Sequence, residues 1–316
     1  MTTALVFPGQ GSQAVGMGKA LADAFPAARA VFAEVDAALG ESLSKIIFEG
    51  PEAELTLTAN AQPALMATSL AALRALESEA GLDIARDAAF VAGHSLGEYS
   101  ALCAAGALSL QDTARLLRIR GAAMQQAVPV GQGAMAAILG LEPDAVAAIA
   151  AEAAREFGVC QAANDNGGGQ VVISGAKAAV ERAMELAKAR GAKRALALPV
   201  SAPFHCALMQ PAAYTMAAAL ATTTLRAPKV PLVANVSATP LVDPEAIRAS
   251  LVAQVTGVVR WRDSVQLMAG RGVDRFVEIG AGKVLAGLIK RIAANVSAVS
   301  VGAPADVEAY KATRAA

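Results

Sequence analysis

The stretch from Phe90 to Ala101 constrains the chain more than any other. A short apolar run, Phe90 to Ala92, reads as a buried strand, and it runs straight into Gly93-His94-Ser95-Leu96-Gly97. An alanine- and leucine-rich helix follows. A strand, a G-x-S-x-G turn and a helix form the context in which a serine sits on a sharp bend with its hydroxyl exposed. Such a bend needs glycine where the backbone takes positive φ or approaches another segment closely. The helix N-terminus behind the serine offers free N–H groups and the positive end of a dipole to a developing oxyanion. Ser95 is therefore the candidate nucleophile. The plainer alternative is a serine that merely caps a helix after a glycine turn.

A nucleophilic serine needs a base within hydrogen-bond reach. The whole chain has only two histidines, His94 and His205. His94 directly precedes Ser95, and neighbours on so tight a turn do not easily place an imidazole against the adjacent hydroxyl. His205, in Ser201-Ala-Pro-Phe-His205-Cys206, is left as the base. Cys206 beside it reads as packing. Serine hydrolases of the α/β type draw one oxyanion N–H from the residue after the nucleophile, here Leu96, and one from an earlier loop. Gln10, in the glycine-flanked loop Pro8–Gln13 after the apolar strand 4–7, suits the second role. Phosphate binding by that loop is disfavoured, because the glycines at 9, 11 and 16 miss the G-x-G-x-x-G spacing and no P-loop lysine follows.

Helical patterning covers 27–39, 63–80, 98–105 and 110–127. Pro63, with Asn60 upstream, marks the start of the second, and Ser109 is a plausible N-cap for the fourth. On that fourth helix Arg120 falls on the apolar side, with Leu116 and Ala123. An inward guanidinium must be paired. Two explanations stay open: a structural ion pair with a local carboxylate, or a bidentate clamp for a substrate carboxylate.

Between 133 and 199 the pattern changes. Strand 134–139, helix 143–157, strand 158–163, a turn at 164–169, strand 170–174, helix 176–191 and strand 193–198 follow one another. This β-α-β-β-α-β order is ferredoxin-like. The fold expected is α/β: a large hydrolase-like domain with a parallel sheet (residues 1–130 and 200–316) and an inserted ferredoxin-like α+β subdomain (131–199). A cleft between the two is the natural ligand site. Further on come a strand at 230–235, a turn at 240–244 and helices at 245–255 and 261–270. A strand at 274–279 leads through Gly280-Ala-Gly-Lys283 into a helix to about 294. The tail from Gly302 shows little pattern.

The chain has 316 residues, 27 basic and 27 acidic. A formal net charge of zero with no block of one sign argues against nucleic-acid binding. Hydrophobic residues reach 55%, largely through alanine, and no run approaches the roughly 20 apolar residues of a membrane span. The first basic residue is Lys19, which leaves no charged region for a secretory signal. Three cysteines without C-x-x-C argue for reduced thiols in the cytoplasm. Two isolated histidines make a metal site unexpected.

Five stretches together carry a resemblance: Phe7-Pro-Gly-Gln-Gly-Ser-Gln13, Gly93-His-Ser-Leu-Gly-Glu-Tyr-Ser-Ala101, Arg120-Gly-Ala-Ala-Met-Gln125, Ser201-Ala-Pro-Phe-His205 and Phe276-Val-Glu-Ile-Gly280. Along almost its whole length the chain resembles the malonyl-CoA:acyl-carrier-protein transacylases of bacterial fatty-acid synthesis, whose relatives are polyketide-synthase acyltransferase domains. The resemblance implies Ser95 as nucleophile, His205 as base, Gln10 and Leu96 as oxyanion donors, and Arg120 as partner of the free malonyl carboxylate. It implies a histidine oriented by a backbone carbonyl at the position of Gln254. Asn164, Asn166 and Asn235 match family positions near the cleft, beside His94, and Phe204 resembles the malonyl-selective pattern. Ala281 replaces a frequent proline, and Val255-Thr-Gly-Val-Val259 replaces the usual Asn-Pro form.

The implied substrates are malonyl-CoA and acyl carrier protein, with no resident cofactor, no metal, no membrane or nucleic-acid partner, and a monomeric enzyme. An acidic carrier protein would meet a basic rim, for which Lys188, Arg190, Lys193, Arg194, Lys290 and Arg291 are candidates; an ordinary solvated face explains them equally well. The rivals are a polyketide or malonate-decarboxylase acyltransferase, a serine thioesterase or hydrolase, and a non-catalytic docking module.

Overall fold

The computed structural model describes residues 1–315. Its strands are β1 (Thr3–Phe7), β2 (Phe90–Gly93), β3 (Gly133–Leu139), β4 (Cys160–Asp165), β5 (Gln170–Ala176), β6 (Arg194–Ala197), β7 (Leu232–Val233), β8 (Pro240–Leu241), β9 (Arg275–Ile279) and β10 (Ser297–Val301). The helices up to the nucleophile turn are α1 (Lys19–Ala24), α2 (Pro26–Leu39), α3 (Leu43–Glu49), α4 (Glu52–Thr56), α5 (Thr58–Ala80) and α6 (Ile84–Asp87). After it come α7 (Gly97–Ala104), α8 (Leu110–Gln126), α9 (Pro143–Phe157), α10 (Lys177–Ala189) and α11 (Gln210–Ala221). The chain closes with α12 (Pro244–Gln254), α13 (Trp261–Gly270), α14 (Val284–Ile292) and α15 (Pro304–Ala315).

The larger sheet has the order β10-β9-β1-β2-β7-β8, parallel throughout except for β8. A parallel sheet is covered on both faces, so its central strands are continuous apolar runs. In β1, Leu5 and Phe7 join the core under α2, α5 and α8, while Ala4 and Val6 point the other way, to Trp261, Val265 and Leu285.

The smaller sheet is antiparallel in the order β4-β5-β3-β6. Ile138, Val171 and Ile173 on one face pack against Val146, Ile149 and Val180 of α9 and α10. Met135, Ala137 and Val172 on the other belong to the main core together with Phe204 and Met209. No described helix is long and apolar enough to cross a membrane.

Several expectations need correction. Helix α5 begins at Thr58, and Pro63 lies inside it. Proline removes the N–H that would pair with Ala59 O; the Arg118 guanidinium donates to that carbonyl instead, at 2.7 Å. Strand β4 runs on to Asp165 through an irregularity between Ala162 and Asn164, so Asn164 sits on a strand rather than in a turn. The strand expected at 230–235 shrinks to Leu232–Val233, which frees Asn235 for other bonding. Part of the turn expected at 240–244 is the edge strand β8, where proline is tolerated. The tail past Gly302 forms α15, which buries Val307 and Tyr310.

Candidate active site

Strand β2 ends at Gly93 and α7 starts at Gly97, so His94, Ser95 and Leu96 form the whole turn. Ser95 has φ 53°, a conformation rare outside glycine. The flanking glycines are set by close approach. A Cβ on Gly93 would lie 2.0 Å from Gly97 carbonyl atoms, and one on Gly97 would lie 2.2 Å from Phe7 O. Parallel pairing of Phe7 with Gly93 thus brings the loop after β1 against the nucleophile turn. Asn235 holds the turn from beneath: its Oδ1 accepts the Ser95 N–H at 2.8 Å and its Nδ2 donates to Gly93 O at 2.7 Å.

Ser95 Oγ and His205 Nε2 are 2.8 Å apart. His205 Nδ1–H donates to the main-chain carbonyl of Gln254 at 2.9 Å, which leaves Nε2 as the acceptor facing the serine. Burial, reinforced by the nearby Arg120 charge, pushes the His205 pKa down to about 3, so the ring is neutral at physiological pH.

Arg120 is 1% exposed. Its Nη1 donates to Gln62 Oε1 at 2.8 Å, and its Nη2 to Gln254 Oε1 at 2.8 Å and Ser95 Oγ at 3.1 Å. Among the described residues no carboxylate oxygen lies within 4.0 Å of it, which removes the ion-pair explanation. Buried arginine without a carboxylate is costly, and this one faces the reacting hydroxyl.

The Gln254 side chain ties the cluster together, because its Nε2 donates to Ser95 O at 2.9 Å and Glu98 Oε2 at 2.6 Å. Burial pushes the Glu98 carboxyl up to about 7 despite these donors. The main-chain N–H groups of Gln10 and Leu96 have no hydrogen-bond partner among the described residues. The Gln10 side chain reaches Thr58 Oγ1 at 3.4 Å, and that hydroxyl meets Ser201 Oγ at 2.8 Å.

Behind the reacting pair opens a cavity of about 610 Å³ whose wall includes Gln10, Gln62, His94, Ser95, Arg120, Asn164, Phe204 and His205. His94 faces away from Ser95 Oγ. Its Nε2 meets Asn166 Oδ1 at 2.9 Å, and its ring lies 5.8 Å from that of Trp261. Of the residues singled out from the sequence, Gln10, His94, Ser95, Arg120, Asn164, Phe204 and His205 line the cavity, while Asn166 bonds to His94, and Asn235 and Gln254 bond to the nucleophile turn.

Two were missed. Gln62 is a lone buried amide in an apolar stretch of α5, and Glu98 is buried within the motif itself; a polar side chain amid buried positions was the available signal. All three cysteines are buried, and desolvation raises Cys103 to about 11 and Cys160 to about 12, so none offers a thiolate.

The acyl transferase domain family matches residues 4–306. The chain is 49% identical over 306 residues to the malonyl CoA-acyl carrier protein transacylase of Escherichia coli strain K12, covering 97% of each. It is 47% identical to the protein of the same name from Bacillus subtilis, over 96% of this chain and 95% of that one. Among solved structures it is similar to the acyl-carrier-protein-S-malonyltransferase of Bartonella henselae, at 59% identity and TM-score 0.97 with both chains covered completely. It also matches a malonyl-transacylase bound to a type II PKS acyl-carrier protein, at 44% identity and TM-score 0.95 over 99% of this chain and all of that one. With the family matched over residues 4–306 and the fold shared over essentially its full length with such relatives, the chain belongs to the acyl transferase family.

Proposed function

We propose that this protein transfers the malonyl group of malonyl-CoA to the phosphopantetheine thiol of acyl carrier protein, for fatty-acid biosynthesis. The observation that carries the reading is one oxygen, Ser95 Oγ, held between His205 Nε2 at 2.8 Å and Arg120 Nη2 at 3.1 Å. The names of the relatives support it. His205 takes the Ser95 proton as the hydroxyl attacks the thioester carbonyl. The tetrahedral oxyanion rests on the Gln10 and Leu96 N–H groups, each worth on the order of 3 kcal/mol of barrier. Collapse expels coenzyme A as the thiol, with the proton returned by His205, and leaves malonyl-Ser95. The carrier thiol then gives up its proton to His205, attacks the ester, and frees Ser95. Arg120 holds the free carboxylate throughout, and Phe204 and Asn164 shape the wall.

Each step has a side chain assigned to it, so the reading calls for no resident cofactor. We assign residues 1–130 and 200–316 to a catalytic unit and 131–199 to a smaller ferredoxin-like unit, acting as a monomer in the cytoplasm. Carrier docking is assigned to the exposed Lys188, Lys193, Arg194, Lys290 and Arg291; Arg190 is engaged by Glu152.

Intact mass after mixing with malonyl-CoA tests the reading. A malonyl adduct present in the native protein, absent in Ser95→Ala and discharged onto acyl carrier protein is expected. Release of free malonate with carrier present would instead indicate a hydrolase, and binding without any adduct a docking module. Discharge only onto a polyketide carrier would move the enzyme to that pathway.

A further inference from the structure

Glu98 takes no part in the steps above, yet it is fully buried one turn from the nucleophile. A carboxyl group is removed from water at considerable cost and is retained where its hydrogen bonds fix something. What it fixes is the Gln254 side chain. Glu98 Oε2 accepts from Gln254 Nε2 at 2.6 Å, and the Asn235 main-chain N–H approaches the same oxygen at 3.4 Å.

A glutamine amide can be placed either way round, and here the surroundings decide. With Nε2 toward Glu98 and Ser95 O, both of its hydrogens meet acceptors, and Oε1 faces the Arg120 N–H at 2.8 Å. Rotated by half a turn, the amide would set its oxygen against two acceptors and its N–H against a guanidinium. Without an acceptor at position 98 the preference falls to Ser95 O, Arg120 and the longer contact with Asn235 Oδ1 at 3.3 Å.

There is a second consequence. Glu98 is the carboxylate whose field reaches Arg120, but Gln254 stands between them. The guanidinium is thus compensated at one remove, while the donors facing the cavity are not taken up by a protein carboxylate.

We propose that Glu98 is a positioning residue for malonyl selection: by fixing the Gln254 amide it holds the Arg120 guanidinium against Ser95 Oγ and clear of any protein carboxylate. The proposal rests on the malonyl reading above. It separates from a purely structural role through the choice of acyl donor, because an acetyl group has no carboxylate for Arg120 to hold.

The test is the single-turnover rate of Ser95 acylation, followed by intact mass, from malonyl-CoA and from acetyl-CoA in parallel. In Glu98→Leu the malonyl-to-acetyl rate ratio is expected to fall at least tenfold. In Glu98→Gln, which keeps an acceptor oxygen of the same reach, it is expected to fall about threefold, with a cooperative thermal transition retained. Should the leucine variant not fold, the glutamine variant decides alone. An unchanged ratio in Glu98→Gln, or equal loss of both donors in Glu98→Leu, overturns the proposal. Absence of a malonyl adduct in the native protein would instead overturn the function on which it rests.

Discussion

Replacing Asn235 by alanine removes two short hydrogen bonds, to the Ser95 N–H at 2.8 Å and the Gly93 carbonyl at 2.7 Å, from a residue that is fully buried. Each backbone group left without a partner costs about 1–3 kcal/mol. Gly93 is buried and takes the full penalty, whereas Ser95 is only partly buried and recovers part of it through water. The loss comes to about 3 kcal/mol, which in a chain of this length lowers the melting temperature by about 4–5 °C. The kinetic effect is larger. Asn235 clamps the N–H of a serine at φ 53° while Gln254 Nε2 holds only its carbonyl, and without Asn235 the backbone relaxes and draws Oγ away from His205 Nε2. A displacement of about 1 Å at a reacting centre costs on the order of 100-fold.

A thermal scan together with the rate of Ser95 acylation measured by rapid quench and intact mass reads both quantities. Asn235→Asp keeps an acceptor for the Ser95 N–H but turns an oxygen toward Gly93 O, and is expected to lie between alanine and the native residue. If Asn235→Ala melts within 1 °C of the native protein, a margin on the order of measurement error, and acylates within about twofold of its rate, the backbone holds the bend unaided and the reasoning fails.

Arg120→Ala is expected to abolish malonyl transfer while acetyl transfer persists or rises; equal loss of both would remove the selective role. Gly121→Ala should lower stability although alanine is the better helix former by about 1 kcal/mol, because the added Cβ would lie 2.4 Å from Thr58 O where α5 and α8 cross. A raised melting temperature would contradict that reading. The pH dependence of stability has two opposed contributions. Unfolded His205 binds a proton below 6.5 and folded His205 only near 3, so its contribution to stability is lost as pH falls through that window, by at most about 1.4 kcal/mol per pH unit. Folded Glu98 holds its proton up to about 7 against 4.5 when unfolded, so its contribution falls as pH rises between those values. Denaturant titrations of His205→Gln and Glu98→Gln from pH 4.5 to 7 should therefore diverge from the native curve with opposite slopes, and parallel curves would refute both assignments.

The reacting pair was legible because scarcity did the work: one serine on a glycine-flanked bend and two histidines left a single pairing. Arg120 was legible as an inward charge, but its partner was not, since spacing on one helix says nothing of what faces it. Gln62 and Gln254 contribute from α5 and α12, far away in sequence. The start of α5 was missed because Pro63 normally opens a helix, and the side chain that takes over the orphaned Ala59 carbonyl lies on α8. Strands β8 and β10 and helix α15 escaped for a different reason. They are short or amphipathic pieces at the sheet edge and the end of the chain, stabilised by neighbours more than by their own pattern.

Both reacting residues, Ser95 at φ 53° and His205 at φ 58°, sit in a left-handed backbone conformation on side chains that disfavour it. Each position gives up roughly 1–2 kcal/mol of possible stability. Directed evolution toward heat resistance, if screened by survival of the fold alone, would therefore be drawn to glycine or asparagine at these two places. Hardening this scaffold requires turnover to be selected alongside endurance, or the hardiest descendants will be inert.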